Sequence, residues 1–293
     1  MVETRADGLA LDVCKLCQFV WFDAQEFERM PVEKPLLAKY SEPRSSAKEA
    51  LAMYEVERMA EQAQESGPSE TWQYVPAMFG LPVECDAPAM TGYPAVTWTV
   101  GLLVVIASIA AFMLGDSVIE SFAIIPSEAW RYGGLTFLTS FFLHGGVLHL
   151  ASNLYFLLIF GDNVEDYLGR WRFGLLLLAA TMTGDLAHVL GDPRADIPCI
   201  GASGGISGII TFYALQFPRA RLGLFLRAYY AFRWVTFPAW AALALWAALQ
   251  LYGVAKQIAG FSNVSALAHL GGAAVGLMVW FCWRAKFQPA RGN

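Results

Sequence analysis

The sequence predicts an all-α membrane protein, a bundle of six hydrophobic helices preceded by a small polar region. Hydrophobic residues make up 56% of the 293 residues and charged residues 15%, against about 45–50% and about 25% in soluble domains. Residues 1–95 carry 8 basic and 16 acidic side chains, and residues 96–293 carry 12 and 9. We therefore expect two domains, a cytoplasmic region over 1–95 and a membrane domain over 96–286.

The amino-terminal region is acidic and contains part of a metal-binding motif. It lacks the basic-then-apolar pattern of a signal peptide, so we expect it to remain in the cytoplasm. Cys14-Lys-Leu-Cys17 resembles half of a zinc ribbon, in which two such knuckles bind one tetrahedral zinc ion. No first knuckle precedes it and Cys85 is the remaining candidate ligand, so zinc binding stays open.

A soluble helix and a linker are expected before the membrane domain. Leu51, Tyr54 and Arg58 recur at helical spacing within residues 46–66, which predicts a helix there. An extended linker is then punctuated by four prolines, Pro76, Pro82, Pro88 and Pro94. The five cysteines are scattered along the chain, and we expect only Cys199 toward the outer side, so no structural disulfide is predicted.

Six stretches are long and apolar enough to cross a hydrocarbon core of about 30 Å, which takes roughly 20 helical residues. They lie near 96–114, 146–162, 171–190, 202–217, 234–252 and 265–283. Their orientation follows from the cations, because short cytoplasmic loops accumulate Lys and Arg. One side has Arg170, Arg172, Arg219, Arg221, Arg227, Arg233, Arg284, Lys286 and Arg291; the other has Arg131, Arg194 and Lys256. We therefore expect both termini in the cytoplasm.

The long loop over 115–145 joins the first two segments. It contains Trp130, Tyr132 and several phenylalanines but few charges. This composition predicts an interfacial element that is partly embedded in lipid rather than a hydrated loop.

The fourth segment is unusually short. It opens on Gly201-Ala202-Ser203-Gly204 and ends at Pro218-Arg219, so about 16 residues are helical, or about 24 Å. Ser203 should therefore lie below the outer surface of the membrane. Ser203 lies 16 residues before Arg219, and His269 on the sixth segment lies 15 residues before Arg284. The two side chains are thus expected at nearly the same depth.

Ser203 and His269 have the chemistry of a nucleophile and its base. A serine hydroxyl reacts when a base within hydrogen-bond reach takes its proton, and histidine suits that task. Ser203 also begins a helix, where free N–H groups and the positive end of the helix dipole stabilise an oxyanion.

The second segment adds His144, His149 and Asn153. His149 and Asn153 are four residues apart, so they share one helical face and could both donate toward one oxygen. Polar side chains at this depth are costly unless they face protein or water. A cavity shared with Ser203 would satisfy them.

Glycines predict close contact between the fourth and sixth segments. Gly204 and Gly208 on the fourth are four residues apart, and so are Gly272 and Gly276 on the sixth. Small residues at this spacing let membrane helices pack nearly backbone to backbone. The glycines would therefore set the distance between Ser203 and His269.

This ordered set of motifs resembles the rhomboid intramembrane serine proteases over residues 96–285. The matching motifs are Trp130-Arg131, His144…His149…Asn153, Gly201-Ala202-Ser203-Gly204 and Ala268-His269-Leu-Gly-Gly272-x-x-x-Gly276. The resemblance implies a six-helix rhomboid-like bundle in which Ser203 is the nucleophile and His269 the base. It also implies that His149, Asn153 and the backbone N–H of Ser203 hold the oxyanion, and that His144 is structural.

Two features depart from the family's pattern. An aromatic residue often follows the catalytic serine by four positions and packs on the histidine, whereas this chain has Ser207. The spacing from Arg131 to His144 is longer, which leaves the role of Arg131 open. Ser207 lies in a second Gly-x-Ser-Gly run, but only Ser203 has the family's spacing to Gly208.

Asp185 and His188 near the outer end of the third segment offer an alternative arrangement. Three residues apart, they could form an acid–base–nucleophile triad with Ser203. Their position beside the loop with Asp192 favours a hydrated interfacial cap instead.

The resemblance implies an integral, multi-pass membrane endopeptidase that cleaves transmembrane segments of single-span proteins, in a bacterial-type inner membrane. Its expected partners are those substrates and the lipid bilayer, with no nucleic acid, cofactor or metal. The alternative is a rhomboid-like protein without protease activity that binds client helices, although a binder needs neither Ser203 nor His269. A small transporter is disfavoured, because the sequence shows no paired intramembrane charges and no internal repeat.

Overall fold

The structure, a computed structural model, describes residues 2–6, 9–13, 20–21, 67–68, 70–85, 90–228 and 231–287. The chain divides into two compact units, Met1–Ala63 and Gln64–Asn293. In the first unit, strands β1 (Val2–Ala6), β2 (Leu9–Val13) and β3 (Val20–Trp21) form an antiparallel sheet in that order. Cys14, Cys17 and the helix expected over 46–66 lie outside the described residues.

The second unit is mostly helical. Among its described residues, three short α-helices are α1 (Tyr74–Met78), α3 (Asp116–Phe122) and α4 (Thr136–Thr139). The same residues form six longer helices, α2 (Ala95–Leu114), α5 (Val147–Leu168), α6 (Arg170–Gly191), α7 (Ser203–Gln216), α8 (Ala239–Ile258) and α9 (Ala266–Phe287). Each of the six hydrophobic segments therefore contains a long helix.

Four of these helices are long and apolar enough to cross a membrane: α2, α5, α6 and the Ala266–Arg284 part of α9. The protein is therefore an integral membrane protein with several spans. Helix α7 has 14 residues, in keeping with the short fourth segment that the sequence predicts. Helix α8, which belongs to the fifth hydrophobic segment, begins at Ala239 rather than near residue 234, because the residues before it form a strand.

A second sheet corrects the all-α prediction. Strands β4 (Val83–Glu84), β5 (Arg221–Ala228) and β6 (Ala231–Pro238) form an antiparallel sheet in that order. Phe225 and Trp234 are cross-strand partners, with ring centroids 5.0 Å apart, and such aromatic pairs stabilise a hairpin. The segment between α7 and α8, expected to be a basic loop, is therefore a β-hairpin rich in aromatic residues.

Residues 71–85, which were expected to belong to an extended linker, form a short helix and a strand instead. Pro76 lies inside α1, and β4 pairs with β5 at Val83 and Glu84. The hydroxyl of Tyr213 and the amide of Asn163 both donate to the Glu84 carboxyl group. Burial is the main reason that the pKa of Glu84 rises to about 7. This part of the amino-terminal region thus packs against α5 and α7.

Helix α7 forms the centre of the bundle, with 10 of its 14 residues buried. A Cβ atom added to Gly272 would overlap the carbonyl oxygen of Gly204, and one added to Gly276 would overlap that of Gly208. A Cβ on Gly208 would lie 2.5 Å from the Cβ of Ala180 on α6 and 2.9 Å from the carbonyl oxygen of Gly272. The glycines expected to face each other therefore do meet, and α6, α7 and α9 pack nearly backbone to backbone.

The amino terminus of α2, the first long helix of the bundle, is held by a side chain of α5. The Glu165 carboxylate accepts hydrogen bonds from the backbone N–H groups of Val96 and Thr97, at 2.9 and 2.7 Å. It also accepts one from the Thr97 hydroxyl, at 2.8 Å. A carboxylate at this end of a helix satisfies free N–H groups and complements the helix dipole.

Candidate active site

Ser203 is the first residue of α7, and a turn at Gly201 positions it. Gly201 has a φ of +120°, a backbone conformation that glycine adopts most readily. Its N–H donates to the Ser140 carbonyl at 2.9 Å. A Cβ at this position would lie 2.8 Å from Cε1 and Nε2 of His149. Only glycine therefore lets the turn approach the His149 ring this closely.

The structure brings Ser203 and His269 into hydrogen-bond contact. The Ser203 Oγ lies 2.9 Å from His269 Nε2, and His269 Nδ1 lies 2.8 Å from Oε1 of Gln250 on α8. Because an amide oxygen can only accept, we assign the imidazole proton to Nδ1. The lone pair of Nε2 then faces the serine hydroxyl, as proton transfer from serine requires.

His149 and Asn153 lie on the same face of α5 and line the cavity that contains Ser203. The Gly145 N–H donates to His149 Nδ1 at 3.3 Å, so we assign the His149 proton to Nε2, the nitrogen beside Gly201. Asn153 donates one of its two amide hydrogens to the His149 carbonyl at 2.9 Å. Both residues thus have a donor available on the cavity side.

His144 is fully buried and supports His149 from behind. The two rings meet edge to face with centroids 4.9 Å apart. His144 Nδ1 lies 3.0 Å from Ser108 Oγ on α2. Burial, followed by the neighbouring His149, lowers the pKa of His144 to about 4. His144 is therefore neutral at pH 7, and its contacts tie the start of α5 to α2.

The structure does not bring Arg131 to this site. Its Nη2 donates to the carbonyl oxygens of Glu120 and Ala123, at 2.5 and 2.6 Å. Its Nη1 pairs with the exposed Glu128 carboxylate at 3.3 Å. Arg131 therefore holds the loop after α3 to the end of that helix.

Ser207 uses its hydroxyl within its own helix. It is buried, and its Oγ donates to the Ser203 carbonyl at 2.7 Å. The geometry therefore favours Ser203 over the second Gly-x-Ser-Gly serine as the partner of His269.

The contacts of Asp185 and His188 do not support the alternative triad. Asp185 accepts from the Ser140 hydroxyl at 2.8 Å, and His188 Nδ1 lies 2.9 Å from Ser265 Oγ. The expected hydrated cap is also wrong, because Asp185, His188 and Asp192 are all buried. Arg194, which donates to Asp192 at 2.8 Å, holds the pKa of that carboxyl well below its usual range.

A mostly apolar cavity of about 890 Å³ opens beside the serine–histidine pair. Its lining includes Ser203, His269, His149, Asn153, Phe237 and Trp246. Within the described part of the chain, no group of three or more His, Cys, Asp or Glu side chains is placed to hold a metal ion. The cavity therefore contains a hydroxyl group, an imidazole in contact with it and further hydrogen-bond donors.

Sequence reasoning missed Gln250. It is the polar side chain in the run Ala-Leu-Gln250-Leu-Tyr of the fifth segment. Polar residues in membrane helices face protein or a water cavity, so this position alone indicated a buried contact. What it could not indicate was the partner, because His269 lies on another helix.

These features define a class, the multi-pass helical membrane proteins that contain an interior serine–histidine pair. A model of the rhomboid domain matches residues 126–286, more than half of the chain. The chain belongs to the rhomboid family.

Relatives outline how far the similarity extends. Rhomboid-related protein 3 of Homo sapiens is 33% identical over 87 residues, 30% of this chain and 20% of that protein. Presenilin-associated rhomboid-like protein A, mitochondrial, of Danio rerio is 30% identical over 149 residues, 50% of this chain and 36% of that protein. Rhomboid protease GluP of Bacillus subtilis (strain 168) is 40% identical over 91 residues, 31% of this chain and 16% of that protein. The chain thus spans between 16% and 36% of these relatives.

Proposed function

We propose that this protein is an intramembrane serine endopeptidase that cleaves transmembrane segments of single-span membrane proteins. The observation that carries the proposal is the 2.9 Å contact between Ser203 Oγ and His269 Nε2. His269 takes the proton of Ser203 as the hydroxyl attacks the substrate carbonyl. It then gives this proton to the leaving amine as the peptide C–N bond breaks, and an ester remains on Ser203. Water then hydrolyses this ester with His269 again acting as the base.

The oxyanion of each tetrahedral intermediate is held by donors from two helices. His149 Nε2–H and the Asn153 amide approach from α5, and the backbone N–H of Ser203 approaches from the start of α7. The amino terminus of α7 adds the positive end of its dipole. Such donors are fixed before the reaction begins, so they stabilise the charge as it develops.

The substrate enters this site as a locally unwound segment. A helical peptide bond is shielded by its own hydrogen bonds, so cleavage requires several residues to leave the helix. We therefore propose substrates that carry small or helix-breaking residues near the outer end of their transmembrane segment. The apolar cavity beside Ser203 supports this assignment, because it offers room for such a segment.

We also propose that all six long helices cross the bilayer, with both termini in the cytoplasm of a bacterial-type cell. Helices α7 and α8 join the four spans identified by length and composition. The cation distribution supports this orientation, since Arg219 and Arg221 follow α7 and Arg284 lies near the end of α9.

Labelling with a fluorophosphonate probe tests the proposed activity without a known substrate. The purified protein in detergent should be modified at Ser203, and Ser203→Ala and His269→Ala should each abolish the modification. Ser207→Ala is the matched control and should label like the wild type. Absence of labelling in the wild type, or labelling that survives in Ser203→Ala, contradicts the proposal. The first outcome favours a rhomboid-like binding protein without protease activity.

Co-expression with a panel of single-span reporter proteins extends the test to proteolysis. Cleavage should appear with the wild type and disappear with Ser203→Ala. Fragments that form equally with both proteins would come from another protease.

A further inference from the structure

Gln250 contacts the nitrogen of His269 that faces away from Ser203. Its Oε1 lies 2.8 Å from Nδ1, while Ser203 Oγ lies 2.9 Å from Nε2. Gln250 belongs to α8, a helix of 20 residues whose buried members are Ala239 and Gln257. An amide within a hydrophobic helix is costly in lipid unless it is hydrogen-bonded. The contact with His269 supplies that bond.

The direction of this bond determines what His269 can do. A neutral imidazole carries one proton, on either Nδ1 or Nε2. An acceptor at Nδ1 keeps the proton there and leaves the Nε2 lone pair for the serine hydroxyl. A donor at Nδ1 would force the proton onto Nε2, which could then no longer accept the proton of Ser203. The amide oxygen of Gln250 therefore selects the reactive tautomer.

Nearby carboxylates have other partners and do not take this role. Asp185 accepts from the Ser140 hydroxyl at 2.8 Å. Asp192 accepts from Arg194 and from the Gln257 amide, at 2.8 and 2.7 Å. Gln250 is thus the described side chain that hydrogen-bonds Nδ1 of His269.

We infer that Gln250 is a positioning residue that holds His269 in the tautomer and orientation required to accept the proton of Ser203. The inference rests on the proposed function and adds a third member to the serine–histidine pair. A carboxylate has this position in Ser-His-Asp triads, where it also stabilises the imidazolium ion by its charge. The Gln250 amide orients the ring without a negative charge, so it adds no buried anion to the membrane interior.

The test compares the kinetics of fluorophosphonate labelling in three variants. Gln250→Met keeps the length of the side chain and removes the acceptor, whereas Gln250→Glu keeps an acceptor oxygen. Lys256→Met is the matched control, because it places the same residue at an exposed position of the same helix. The maximal labelling rate constant, the probe concentration at half-maximal rate and the final labelled fraction are measured separately, together with the thermal unfolding temperature.

We expect Gln250→Met to lower the maximal rate constant by about 10- to 100-fold. This loss is smaller than the drop of about 10⁴-fold that follows when the aspartate of a Ser-His-Asp triad is replaced by asparagine. Its labelled fraction and half-maximal probe concentration should stay close to wild type, since Ser203 and the cavity are unchanged. The maximal labelling rate constants of Gln250→Glu and Lys256→Met should stay within about threefold of the wild-type value, because both variants keep an acceptor for Nδ1 of His269.

Two outcomes overturn the inference while leaving the proposed function intact. One is a wild-type rate constant in Gln250→Met, and the other is an equal loss in Gln250→Met and Gln250→Glu. A purely structural role would lower the labelled fraction and the unfolding temperature rather than the rate constant. If Gln250→Met does not fold, Gln250→Ala removes the acceptor without adding apolar volume and is judged by the same criteria. A wild-type protein that does not label contradicts the proposed function itself.

Discussion

His149 and His144 are five residues apart, yet their nitrogens contact different partners. His144 is buried against Ser108 of α2, at 3.0 Å. His149 accepts from the Gly145 N–H and presents its other nitrogen toward Gly201. One imidazole therefore supports the fold, and the other has the N–H group that the proposed function assigns to the oxyanion.

We predict that His149→Phe slows fluorophosphonate labelling of Ser203 by about 10²–10³-fold, the usual cost of removing one oxyanion donor. Phenylalanine keeps the ring that packs against His144 and removes the N–H, so the protein should remain folded. Ser152→Ala is a suitable control, because Ser152 lines the same cavity but donates back to the His149 carbonyl at 3.0 Å. A wild-type labelling rate in His149→Phe would assign the oxyanion to other donors.

At the scale of elements, α7 and α9 leave no room for side chains at the positions where their glycines meet. Gly272→Ala would place a methyl group on the Gly204 carbonyl, so the helices must separate. We expect a loss of about 1–3 kcal/mol in the free energy of unfolding, and slower labelling because Ser203 and His269 move apart. Gly174→Ala on α6 is the control, since a Cβ there meets nothing within 4 Å. Thermal unfolding in detergent measures the stability of the two variants. Equal stability of Gly272→Ala and Gly174→Ala would contradict the packing argument.

Strand β4 brings a half-buried carboxyl group, Glu84, against α5 and α7. Its pKa is about 7 in the folded protein against an ordinary value of 4.5. The unfolded chain therefore releases this proton at lower pH, so Glu84 makes the stability fall as pH rises from about 4.5 to about 7. Above that range the loss is complete, and it amounts to roughly 3 kcal/mol.

We predict that Glu84→Gln flattens this pH dependence, because glutamine keeps an acceptor for Tyr213 and has no proton to release. The variant should be more stable than wild type at pH 8 and similar at pH 4.5. Glu120→Gln, at an exposed position of α3, should leave the profile unchanged. Unfolding temperatures measured between pH 4.5 and 8 check the prediction, and parallel profiles for wild type and Glu84→Gln would show that Glu84 titrates normally.

At the scale of the whole molecule, the sequence predicts contacts and helices that a repeating pattern marks, and misses those that no such pattern marks. Hydropathy located the six long helices, and glycine spacing identified the contact between α7 and α9. Strand β4 was missed because it is two residues long and its partner lies far along the chain. The β5–β6 hairpin was missed because the arginines of this segment favoured a cytoplasmic loop. Gln250 was also missed, because its role depends on a contact with His269, which lies on another helix.

The proposed orientation of the whole molecule makes a prediction about its loops. If both termini are cytoplasmic, the turn after α6 lies outside and the hairpin after α7 lies inside. Alkaline phosphatase, which is active only outside the bacterial cytoplasm, should therefore be active when fused after Asp196 and inactive when fused after Arg219 or Arg284. A green fluorescent protein fused at the same positions should give the opposite pattern. Phosphatase activity after Arg284 would reverse the orientation, and would place Ser203 near the cytoplasmic face of the membrane.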